Sequence, residues 1–123
     1  MLDKTELGAY LACAAQVIRW LGDPEPPPLA QPPQGQLRVG VDLGTAYLTV
    51  VVLDADCQPL AGEYQFAQVA RDGLVVDFVG AVELVKGMKA RLERRLGREL
   101  TSAASGYPPG VSQAEVRATA NVV

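Results

Sequence analysis

The sequence predicts an α/β fold: one β-β-β-α-β-α layer, preceded by a separate helix and a proline-rich linker. Three observations predict it. Short runs of β-branched and small apolar residues, broken by turn residues, fill positions 37–69. Apolar residues then recur at three- and four-residue spacing in two later segments, which is the period of a helix face. Six of the nine prolines fall between positions 22 and 36. The expected organisation is a helix over 1–21, a linker over 22–36 and a folded body over 37–123.

In the first segment, Leu7, Tyr10, Leu11, Ala14, Val17, Ile18 and Leu21 lie on one helical stripe. Asp3 and Glu6 have the spacing of a capping box. Gly22 and Pro24 stop the helix. Pro24, Pro26, Pro27, Pro28, Pro32 and Pro33 follow. Such a run favours extended polyproline conformation, at about 3.1 Å per residue, long enough to hold the helix tens of ångströms from the body. The helix has two readings: it folds back on its own body, or it lays its stripe against a partner.

In the body, residues 37–43 read as a buried strand and 46–53 as its antiparallel partner, joined by a tight turn at Gly44-Thr45. Asp54 to Pro59 supply a second turn, and residues 60–69 a third strand. Arg71-Asp72-Gly73 turns into a helix over about 78–96, with Val79, Val82, Val85, Met88 or Lys89, and Leu92 along one side. Its outer face carries Lys86, Arg91, Glu93, Arg94 and Arg95, read as a solvated surface, with a partner surface as the alternative. Gly97 ends it. Residues 100–107 read as a short strand, Pro108-Pro109-Gly110 as a turn, and Ser112 with Glu115 as a capping box opening a last helix. A right-handed crossover places the fourth strand parallel to the first. This order is the opening of a ribonuclease-H-like layer.

The bulk composition excludes several function classes. The chain has 123 residues, 49% hydrophobic and 20% charged, enough for one modest core. A net charge of -3 without a basic run argues against nucleic-acid binding through a cationic surface. Histidine is absent, which removes Ser-His and Cys-His catalysis and histidine metal sites. Cys13 and Cys57 lack a metal-ligand spacing and read as free thiols in a reducing cytoplasm. No apolar run approaches the roughly 20 residues of a membrane span, and the start lacks the pattern of a signal peptide.

The chemistry concentrates in Val39-Gly40-Val41-Asp42-Leu43-Gly44-Thr45-Ala46. A glycine after the strand permits a sharp turn or a close approach. Backbone N–H groups at Thr45, Ala46 and Tyr47, with the Thr45 hydroxyl, suit phosphate oxygens. Asp42 at the strand end suits magnesium held through water, because that ion dehydrates reluctantly. Read from these letters alone, a plain hairpin with an acidic turn residue fits as well.

This run resembles the first phosphate motif of the actin, DnaK and MreB superfamily of ATPases. Residues 69–82 (Val69-Ala70-Arg71-Asp72-Gly73-Leu74 onward) resemble the loop and helix entry of the EutJ family, its ethanolamine-utilisation branch. Leu96-Gly97-Arg98-Glu99-Leu100-Thr101, Ala103-Ala104 and Tyr107-Pro108-Pro109-Gly110 are similar to the same family. The resemblance covers roughly residues 37–123 in order. It implies an actin-like ATPase fold, ATP or ADP with magnesium as cofactor, and a chaperone-like accessory role in the bacterial microcompartment that processes ethanolamine. By position it makes Asp42 the magnesium-side acid and Gly44, Thr45, Ala46 and Tyr47 the phosphate loop. It implies ethanolamine-utilisation enzymes or shell proteins as partners, and a cytoplasmic or microcompartment location.

The superfamily closes its nucleotide between two halves, and the second Asp-x-Gly loop and adenosine segment have no counterpart here. The expectation is a fragment or a shortened gene product, in which no catalytic residue is assigned, nucleotide is held weakly and hydrolysis by the chain alone is negligible. An incomplete sheet also exposes an edge, which favours self-association. The alternative is a non-catalytic binding or targeting module that docks through its first helix. A sugar or acetate kinase fits the stretches beyond residue 69 less well. A ribonuclease needs clustered carboxylates, and Asp42, Asp54 and Asp56 are dispersed.

Overall fold

The computed structural model describes residues 3–21, 27–72, 74–107 and 109–123. Gly22, Pro24, Pro26, Gly73 and Pro108 lie outside the described residues, as do the side chains of Tyr10, Cys13, Val17, Ile18 and Leu21. The first helix is α1 (Lys4–Leu21). Its N-terminus carries the expected box: the Asp3 carboxylate accepts from the N–H groups of Thr5 and Glu6, and the Glu6 carboxylate accepts from the Asp3 N–H.

The central sheet has the order β3-β2-β1-β6, from β1 (Arg38–Leu43), β2 (Tyr47–Leu53), β3 (Pro59–Phe66) and β6 (Ala104–Ser105). The three-strand meander is antiparallel, and β6 pairs with β1 in parallel, as the crossover rule requires. Strand alternation sends Val41, Leu48, Val50 and Val52 to one face, where all four are buried. There they meet Ala81, Val85, Met88, Leu92 and Leu96 of α2 (Phe78–Leu96). Leu48 and Met88 are sealed completely; each such side chain contributes about 1.5–3 kcal/mol. The last helix, α3 (Gln113–Val122), opens on the Ser112–Glu115 capping box and buries Thr119 and Val122.

Four features differ from the sequence reading. First, β3 ends at Phe66 rather than continuing to Val69. The Val69 carbonyl accepts instead from the N–H groups of Val76 and Asp77, at 2.8 and 3.2 Å. This turns the chain into a two-stranded hairpin of β4 (Ala70–Arg71) and β5 (Leu74–Val75), with Asp72 at φ 51 in its turn. Second, β6 is only Ala104–Ser105, and the Leu100 N–H, expected in that strand, donates at 2.8 Å to the Glu93 carboxylate.

Third, the α2 stripe forms as read at Val85, Met88 and Leu92, with Val82 packed against the core, and departs from the reading at its two ends. Val79 is 72% exposed and Ala81 takes the buried position, while Arg95, expected outside, is only 7% exposed. Fourth, the proline segment does not stand away from the body. The Leu29 N–H donates at 3.0 Å to the Arg95 carbonyl, satisfying one of the orphan acceptors at the end of α2. Arg98 Nη1 donates at 3.0 Å to the Pro33 carbonyl, and Leu29 packs against the core. Upstream of this strap, α1 lies against β3.

Candidate functional site

β1 positions the acid. Its burial alternates so that Val41 faces the core while Arg38, Gly40 and Asp42 face the opposite side of the sheet and are exposed. The register sets Asp42 opposite Thr49. Among the described residues, no hydrogen bond or ion pair engages the Asp42 carboxylate. Asp42 lines a cleft of about 190 Å³ together with Leu43, Ala70, Val75, Gly106, Tyr107 and Thr119. The β4–β5 hairpin, the end of β6 and α3 therefore all border the cleft beside Asp42.

The loop after β1 is a tight hairpin. The Gly44 N–H donates at 3.0 Å to the Tyr47 carbonyl, leaving Thr45 and Ala46 at the tip. A Cβ on residue 44 would stand 2.5 Å from the Tyr47 oxygen, so only glycine allows this closure. Gly44 therefore shapes the loop, its own donor being used within it. The N–H groups of Thr45 and Ala46 have no acceptor among the described residues, and Thr45 is exposed. The structure thus brings Asp42, Gly44, Thr45, Ala46 and Tyr47 to one end of the sheet. Two unused donors and a hydroxyl stand at the hairpin tip, with a carboxylate on the strand that leads into it.

The arrangement is one-sided. Among the described residues, no three of the His, Cys, Asp and Glu side chains gather to hold a metal ion directly. A magnesium ion here would be held by one carboxylate, its own waters and phosphate oxygens, which suits a reluctantly dehydrated cation.

An aromatic cluster escaped the sequence reading. The Tyr47 ring lies 5.6 Å from that of Tyr64 and 5.7 Å from that of Phe66. All three rings are about half exposed or more. Its signal was the register: Tyr47 opposes Phe66, and Tyr64 follows on the same face two residues earlier. The lining groups Tyr107 and Thr119 were also missed, because the pairing of β6 with β1 brings the first to the cleft and the packing of α3 the second.

No family model matches the chain. The ethanolamine utilization protein EutJ of Escherichia coli (strain K12) is 44% identical over 77 residues, which is 63% of this chain and 28% of that protein. EutJ of Salmonella typhimurium (strain LT2) is 47% identical over 74 residues, 60% of this chain and 26% of that protein. The crystal structure of EutJ from Carboxydothermus hydrogenoformans superposes with a TM-score of 0.74 at 41% identity.

The chain is EutJ-like. That structural match covers 97% of the chain and 41% of the solved protein. The chain thus spans well under half the length of the EutJ proteins it matches. Its fold is the actin-like ATPase layer, ribonuclease-H-like in strand order, and the EutJ-like hairpin lies at the end of its first strand. No helix among the described residues of this EutJ-like chain is long and apolar enough to cross a membrane.

Proposed function

We propose that this chain is an accessory module of ethanolamine utilisation that takes the phosphate and magnesium end of ATP or ADP at Asp42 and the Gly44–Tyr47 hairpin. In this reading it serves, chaperone-like, the enzymes or shell proteins of the microcompartment. One observation carries the reading: an unpaired carboxylate on β1 leads into a hairpin with two unused N–H donors, within an actin-like layer. Similarity to EutJ proteins supplies the pathway.

The site is open to water on one side, where charge-assisted contacts are weakened. Calorimetric titration of the chain with ATP and magnesium is expected to give a dissociation constant of about 1 mM, near -4 kcal/mol. Asp42→Ala abolishes the magnesium-dependent part, and hydrolysis stays at background. Unchanged binding by Asp42→Ala, or no binding, overturns the proposal, and micromolar affinity overturns the expectation of an open, weak site.

Exposed Leu7 and Leu11 on α1, 49% and 61% exposed, favour a second reading as a docking helix. A fluorescent reporter carrying residues 1–22 is then expected to concentrate in cells that assemble shells, and a diffuse signal rejects it.

A further inference from the structure

The cleft beside Asp42 is walled by the chain's own elements: the end of β1, the β4–β5 hairpin, the segment after β6 and α3. It lies past the carboxyl ends of the parallel pair β1 and β6, where Leu43 closes the first strand and Gly106 follows the second. In open α/β sheets that crevice is where ligands are held. Asp42 is one polar side chain of the cleft without a partner among the described residues. Thr119 of α3 is another, and it is only 7% exposed.

A threonine hydroxyl inside a helix can donate back to the carbonyl four residues earlier. That of Thr119 makes no hydrogen bond among the described residues, although the Thr119 carbonyl accepts from the Val123 N–H at 3.3 Å. Leaving a buried hydroxyl unpaired is costly. Because the residue is already enclosed by the fold, a group that pairs this hydroxyl has to enter the cleft. Tyr107, at 55% exposure, is open to solvent and makes no such demand.

Size and chemistry select that group. A cleft of about 190 Å³ takes about six waters at roughly 30 Å³ each, which is the octahedral shell of one magnesium ion. Water bound to a cation is a strong donor, and a carboxylate and a hydroxyl oxygen both accept. We propose that Thr119 is a positioning residue of this site: its hydroxyl accepts a hydrogen bond from a water of the magnesium shell that Asp42 anchors, a role that rests on the nucleotide reading of Asp42.

The test titrates the full chain with ATP by calorimetry, with magnesium and with magnesium chelated. Thr119→Val removes the hydroxyl and keeps the shape. It is expected to weaken binding about fivefold with magnesium, the usual contribution of one hydrogen bond, and to leave magnesium-free binding unchanged. Thr119→Ser restores the wild-type value. The urea midpoint of Thr119→Val stays at or above that of the wild type, because the hydroxyl has no partner within the fold; a lower midpoint assigns it a structural role and overturns the proposal. If Thr119→Val does not fold, Thr119→Ala gives the same binding readout. Equal magnesium dependence in the variant and the wild type overturns the role of Thr119 while that of Asp42 stands. An equal loss without magnesium also overturns it, since the hydroxyl then contacts phosphate. No magnesium dependence in the wild type overturns both readings.

Discussion

The Gly44 N–H donates to the Tyr47 carbonyl at 3.0 Å, and that same oxygen stands 2.5 Å from where a Cβ on residue 44 would be. One hydrogen bond thus closes the hairpin at the end of β1 and excludes every side chain from its first position. Gly44→Ala must open the turn, and we expect a loss of about 1–3 kcal/mol in urea denaturation. Gly40→Ala is the control. Its Cβ meets no atom, so it leaves stability unchanged or raises it by about 0.5 kcal/mol through the unfolded state.

Asp77 opens α2, its Oδ1 accepting from the Gly80 N–H at 2.9 Å. Asp77→Ala is expected to lower stability by about 1 kcal/mol. Asp77→Asn keeps an acceptor and changes it by a few tenths, which thermal melts followed by circular dichroism resolve.

The strap across the end of α2 makes a different prediction. Leu29 packs on the core, and Arg98 holds the Pro33 carbonyl. Leu29→Ala combined with Arg98→Ala is expected to cost about 2 kcal/mol in urea denaturation. A freely tethered segment would show no change.

Met88→Ala removes a fully buried side chain between α2 and the sheet, with an expected cost of about 2–5 kcal/mol. Val79→Ala, one helix face away and 72% exposed, changes stability by less than about 0.5 kcal/mol. The pair reads directly that the buried stripe of α2 includes Met88 and leaves Val79 outside.

Arg91 on α2 bridges Glu63 and reaches Gln65 on β3, with side chains 44% and 24% exposed for the ion pair itself. Glu63→Gln is expected to cost less than about 1 kcal/mol at low salt, and less again in 1 M salt, where the screening length is about 3 Å.

How much was legible follows from how local each signal is. The capping boxes at Asp3–Glu6 and Ser112–Glu115 form as read, because every partner lies within three residues. The meander was legible from β-branched runs and turn residues, and the parallel fourth strand from the handedness of the crossover. Errors arose where a distant group intervened. The Glu93 carboxylate takes the Leu100 N–H, which leaves that residue outside β6; the Val69 carbonyl is diverted to Val76 and Asp77, beyond the end of β3. Neither partner is marked by periodicity.

The amino-acid letters were enough for the β-β-β-α-β-α order and for the place of Asp42 and the Gly44–Tyr47 hairpin at the end of the first strand. Period, turn chemistry and chain handedness act over a few residues, and each leaves its mark in the letters. Three-dimensional packing alone settled that Val79 leaves the buried side of α2 while Arg95 enters it, that the proline segment binds the end of that helix, and that Tyr107 and Thr119 line the cleft beside Asp42. Those outcomes depend on packing between segments tens of residues apart, where shape and unsatisfied carbonyls, rather than residue type, select the partner.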